Sequence, residues 1–164
     1  MGYPPAPLPP RRSGTPRVIG ILAIVFACLG LLVSITMTAG PMSDLDRWNI
    51  SVSSLGVVGV WLYASMFLSL AVFALHLVGG IAAVRYRPSA PRLMTIYGVA
   101  AIALAVADLV VPMCGMAGHM GGRVFDSVVI PRIGYAIIAL PWPIIALAMM
   151  NTRGAREACR GAQP

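Results

Sequence analysis

The sequence predicts an all-α integral membrane protein: a bundle of four transmembrane helices with short loops and a disordered proline-rich N-terminal tail. Three observations carry this expectation. Hydrophobic residues make up 59% of the 164-residue chain and charged residues only 10%, against roughly 25% charge in soluble domains. The apolar residues gather in four runs, at residues 18–39, 56–84, 93–111 and 133–150, each within or above the range of about 17–25 residues that crosses a bilayer. The arginines fall mainly between and beyond these runs.

Residues 1–17, MGYPPAPLPPRRSGTPR, form the tail. Their prolines preclude helix and favour extended coil. The stretch PLPPRR fits a pattern read by proline-recognition modules, but a flexible spacer is the preferred reading. Ala6 breaks the myristoylation pattern that Gly2 begins. Residues 1–39 also resemble a secretory signal, with Arg11, Arg12 and Arg17 as its basic part. A signal core runs about 7–15 residues, whereas this run continues past Cys28 to Met37, so a retained span is expected.

The second run is the longest and is expected to tilt, with Trp61 and Tyr63 as interfacial anchors. Small residues recur at four-residue spacing: Ala23 and Ala27 in the first run, Ser65 and Ser69 in the second, and Ala101, Ala105 and Ala103, Ala107 in the third. Such pairs let helix backbones approach closely in lipid. Pro141 and Pro143 should kink the fourth run within the membrane. Residues 151–164 are read as a short basic tail.

All twelve basic residues are arginine. They give a net charge of +7, but their position at the ends of apolar runs speaks for membrane orientation and against nucleic acid. Arg11, Arg12 and Arg17 precede the first run, Arg85, Arg87 and Arg92 lie between the second and third, and Arg153, Arg156 and Arg160 follow the fourth. The other two loops hold Arg47 with Asp44 and Asp46, and Arg123 with Asp126, while Arg132 borders the fourth run. Both termini are therefore expected in the cytoplasm, with the protein multi-pass in a cell membrane. The absence of lysine hints at a GC-rich genome and so at a bacterial inner membrane. Cys28, Cys114 and Cys159 then fall at different depths, and no disulfide is expected.

Asp108 is the most informative residue. A bare carboxylate in hydrocarbon costs about 2.5–3.5 kcal/mol on insertion scales, and the end of its helix carries the negative pole of the dipole. It is expected to be neutral or paired with an arginine. Sixteen residues beyond Arg92, it lies about 24 Å from the arginine-rich edge at 1.5 Å per residue. By the same count Ser69, Ser34 and Tyr135 fall at about 24, 26 and 27 Å. Asp108, Ser34, Ser69 and Tyr135 are therefore expected to form one intramembrane polar layer. It is either a hydrogen-bonded clasp, in which asparagine would serve as well at position 108, or an ion or proton site. His76 lies near the midplane, about 14 Å from the same edge and level with Cys28 and Trp142, and is expected to donate to a carbonyl freed by the kink.

Met113, Cys114, Met116, His119 and Met120 crowd the loop after the third run. Thioether, thiolate and imidazole suit Cu(I). Gly115, Gly118, Gly121 and Gly122 equally mark an ordinary turn, and that reading is preferred. Enzymatic chemistry has no support: there is no nucleophile–base pair, phosphate loop or carboxylate pair. The expected role is a non-enzymatic structural or interaction subunit in the lipid bilayer, associating with itself or with a larger membrane partner. The alternative is a small transporter or metal-handling protein built on Asp108 and the Met/Cys/His loop.

Overall fold

The computed structural model of the chain describes residues 14–116 and 122–160. Its elements are α1 (Thr15–Arg47), a 3-10 turn (Val52–Leu55), α2 (Val57–Val84), α3 (Ala90–Gly115), α4 (Arg123–Ala139), α5 (Pro141–Met150) and α6 (Arg153–Arg160). Among the described residues, four helical stretches are long and apolar enough to cross a membrane: α1, α2, α3, and α4 with α5 taken together. The fold is an all-helical bundle. In it α1 packs on α2, α2 on α3, and α3 on both α4 and α5, with α1 closing the ring against α4 and α5.

Local chemistry explains the helix ends. Pro16 and Pro91 sit in the first turns of α1 and α3, where a missing N–H costs nothing and φ is already helical. α1 and α2 end alike. Ile50 N donates to Leu45 O and Asn49 N to Asp46 O, while Arg87 N donates to Ala82 O and Tyr86 N to Ala83 O. Asn49 and Tyr86 take the left-handed position of this motif, at φ 54° and 53°, which satisfies carbonyls that the helix leaves open.

Three stretches differ from expectation. α1 continues through Gly40 and Pro41 to Arg47, well beyond residue 39. An interior proline costs about 3 kcal/mol. Complete burial of Leu45 returns about 1.5–3 kcal/mol, and Met42 and Ile50 pack beside it. α4 starts at Arg123, ten residues before the apolar run, because Val128 and Val129 are buried and Val124 and Phe125 pack on the same cluster. Residues 153–160 form α6, which buries Ala155, Ala158 and Cys159 under the bundle and leaves its arginines and Glu157 outward. The helix breaks at Leu140, where the two prolines of the fourth run stand.

The apolar core lies in two clusters. At the arginine-rich end it is built of small residues with Ile19, Met94, Tyr97, Met150 and Cys159 among them. At the opposite end it comprises Leu45, Val58, Leu62, Met116, Val128 and Val129. The α1 and α2 backbones approach tightly at Gly20 and Gly80. A Cβ on Gly20 would stand 2.7 Å from Gly80 O and from Val84 N, so glycine alone fits there. Ala23 and Ala27 are buried in α1 on the same side.

Candidate functional site

Between the two clusters lies a band of polar and aromatic side chains, and Asp108 is its centre. From α3 its Oδ1 accepts the indole Nε1–H of Trp61 on α2 at 2.9 Å and the guanidinium Nη1–H of Arg132 on α4 at 3.1 Å. One carboxylate thus ties three helices. Ser65, buried on α2, is close enough to the carboxylate to interact with it, although its Oγ donates to Leu62 O. The Asp108 and Arg132 side chains are 17% and 8% exposed. In such surroundings the two charges neutralise each other, and removing either leaves a buried charge uncompensated. Arg132 Nε has no hydrogen-bond partner.

Ser69 and Tyr135 share a small cavity of about 60 Å³ with Asp108, together with Tyr97. Ser34 is half-buried on α1 and does not line that cavity. The direct partners of Asp108 are therefore Trp61 and Arg132. The sequence reading assigned Trp61 to the membrane interface and Arg132 to the border of the fourth run. The sequence signal was limited to the need of Asp108 for a counter-charge and the presence of an arginine, Arg132, beside the next apolar run.

His76 anchors a second polar contact. Its ring stacks on Tyr97 of α3, with centroids 3.8 Å apart and planes 9° from parallel. Its Nε2 accepts the indole Nε1–H of Trp142 on α5 at 2.9 Å. An accepting Nε2 makes the Nδ1–H tautomer the neutral form here. The histidine therefore accepts a hydrogen bond from the kinked segment instead of donating to a carbonyl, and Nδ1 has no partner. Trp142 in turn stacks on Phe26 of α1 at 4.6 Å, so a file of four rings crosses α1, α5, α2 and α3. A groove of about 510 Å³ between α1 and the α4–α5 segment borders this file, lined by Phe26, Phe73, His76, Tyr135, Ile138 and Trp142 among others.

The soft-ligand set is divided. Met113 and Cys114 lie exposed in the last turn of α3. Met116 is 5% exposed and packs in the cluster of Leu45, Val58 and Leu62, where its thioether fills core space. His119 and Met120 lie outside the described residues. Among the described residues no three His, Cys, Asp or Glu side chains gather as metal ligands. The three cysteines are free thiols, and burial pushes that of Cys159 up from its ordinary pKa.

Neither a protein-family model, a curated protein nor a solved structure matches this chain, so the geometry itself carries the functional reading.

Proposed function

We propose that the chain is a multi-pass cell-membrane protein with both termini in the cytoplasm, acting as a non-enzymatic structural or interaction subunit. The observation that supports this reading is the Asp108–Arg132–Trp61 clasp. A cation or proton site needs a carboxylate open to its ligand, whereas here a guanidinium holds the place a cation would take and an indole adds a second donor. The cavity beside it, at about 60 Å³, has room for a few waters at most. The lipid bilayer is the first partner, and a second copy or a larger membrane protein is the second.

One observation favours a different reading. Ser69, Tyr97 and Tyr135 meet Asp108 around that cavity, and hydroxyls beside a carboxylate are also the parts of a proton site. One measurement tests the orientation and a second separates the readings. In a background lacking the native cysteines, a cysteine at position 43 is expected to react with an impermeant maleimide added outside intact cells, and one at position 89 to stay unlabelled. The reverse pattern would invert the proposed orientation. Purification from native membrane in mild detergent, followed by mass spectrometry, is expected to show a stoichiometric partner or self-association. A monomer that drives Asp108-dependent proton flux into liposomes would establish the transporter instead.

A further inference from the structure

At the arginine-rich end, α3 and α6 enclose a pocket of about 330 Å³ whose walls include Arg92, Arg156, Arg160, Thr95, Asn151 and Ile96. Asn151 is its organising residue. The amide Nδ2 donates to Leu147 O at 2.7 Å and to Thr95 Oγ1 at 3.1 Å, which fixes the end of α5 against α3. Its Oδ1 accepts from Arg156 Nη2 at 2.5 Å, and this holds one guanidinium at the pocket. Arg92 and Arg160 supply two more from α3 and α6.

Charge is unbalanced here. Among the described residues the ion pairs are Arg47–Asp44, Arg132–Asp108 and Arg153–Glu157, so none of the three pocket arginines has a carboxylate. The pocket also lies at the start of α3, whose dipole adds positive potential. Three guanidiniums in one concavity suit a phosphate group, while Thr95 donates to Pro91 O and Asn151 to Leu147 O and Thr95 Oγ1, so these two side chains shape the wall. At the edge of the pocket Ile96, 47% exposed, leads onto the apolar flank of α3. A free phosphate has no use for that flank, whereas acyl chains do.

We propose that this pocket binds the headgroup of an anionic phospholipid, with its phosphate on Arg92, Arg156 and Arg160 and its chains along α3 beside Ile96. The inference rests on the membrane-spanning reading. Basic pockets at the cytoplasmic ends of transmembrane helices are recognised by anionic headgroups in this way, each arginine in contact with the headgroup being worth about a fivefold gain in binding.

The test uses the full chain purified in a non-ionic detergent and titrated with dioleoyl phosphatidylglycerol or dioleoyl phosphatidylcholine. Retained lipid is read by native mass spectrometry and the melting temperature is followed in parallel. The wild type is expected to retain phosphatidylglycerol and to melt higher with it, and to do neither with phosphatidylcholine. A variant carrying Arg92→Gln, Arg156→Gln and Arg160→Gln is expected to bind phosphatidylglycerol about a hundredfold more weakly. A variant carrying Arg17→Gln, Arg85→Gln and Arg87→Gln removes equal charge from the same end and should stay within about threefold of the wild type, diffuse charge being screened. Equal weakening of the two variants, equal retention of the two lipids, or displacement by millimolar inorganic phosphate alone would each overturn the proposal. The lipid preference of the wild type decides the matter if the pocket variant does not fold. Release of the chain from native membranes by alkaline carbonate would defeat the spanning reading, whereas a carbonate-resistant chain with no lipid preference defeats the pocket alone.

Discussion

Between α1 and α2 the backbones meet over the hydrogens of Gly20 and Gly80 and the methyl of Ala23. Between α3 and α4 a carboxylate meets a guanidinium at 3.1 Å. Both contacts hold neighbouring helices, and they fail differently. Close packing responds to volume, in small increments, because dispersion falls off steeply with each fraction of an ångström. A buried ion pair responds to charge: together the partners roughly balance the cost of their desolvation, and either one alone does not. The seam therefore sets how near two helices lie, and the clasp sets which faces they turn inward.

Substitutions at three kinds of contact sharpen that contrast. The largest effect is expected at the clasp. Arg132→Leu or Asp108→Leu should each destabilise the folded chain by about 3–5 kcal/mol, measured by steric trapping or reversible unfolding in detergent, while the double variant should recover most of the loss. Asp108→Asn should also destabilise, because the amide leaves the guanidinium without its counter-charge. This revises the sequence-based view of asparagine as an adequate substitute in a clasp. Strict additivity of the two leucine variants would mean that the ion pair contributes no coupling.

A smaller loss is expected at the seam. Gly20→Val should cost about 1–3 kcal/mol through overpacking, since the added atoms would run into the backbone of α2. Gly134→Val, where nothing lies within 4 Å, should cost much less. Equal costs at the two positions would mean that helix propensity, and not the close approach, decides. The smallest loss is expected in the ring file. Trp142→Phe keeps an aromatic ring for Phe26 but removes the donor to His76 Nε2. A cost near 0.6 kcal/mol, the average for interhelical hydrogen bonds in a membrane, is expected from the same unfolding measurement. A loss as large as that at the clasp would make the histidine the true centre of the bundle.

The two contacts were also unequally legible in the sequence. Ala23 and Ala27 marked the α1 side of the seam by spacing alone, because small residues at every fourth position share one helix face. Asp108 declared that it needed a partner, since burial of a lone carboxylate is too costly. The identity of that partner was not readable from depth along one helix. Arg132 sits where arginine usually marks a membrane border, and only the facing of α3 and α4 shows its side chain turning inward. Ser34 illustrates the limit of the depth estimate: height along a helix says nothing about azimuth, and Ser34 lies outside the cavity that Ser69 and Tyr135 share with Asp108.

Helix ends were the other gap. Gly40-Pro41 reads as a stop, and the stop is overridden by burial of Leu45. The first turns of α4 carry Arg123, Asp126 and Pro131 and read as loop, but Val124, Phe125, Val128 and Val129 form an apolar stripe at helical spacing within them. α6 was hidden because its inward face is made of alanine and cysteine, too little apolar surface to stand out among four arginine and glutamate side chains.

The place where α6 docks has a consequence for the order of assembly. Cys159 is fully buried in the same cluster as Ile19 of α1 and Met150 of α5, so its seat is built jointly by the first and the last of the apolar stretches. No hairpin of neighbouring helices contains that seat. A growing chain can pair α1 with α2 and α2 with α3 while residues 153–160 are still unmade, and the seat comes into being only when the ring has closed. Docking of α6 is therefore a late event by construction, one that senses completion of the whole bundle and not the presence of any single helix.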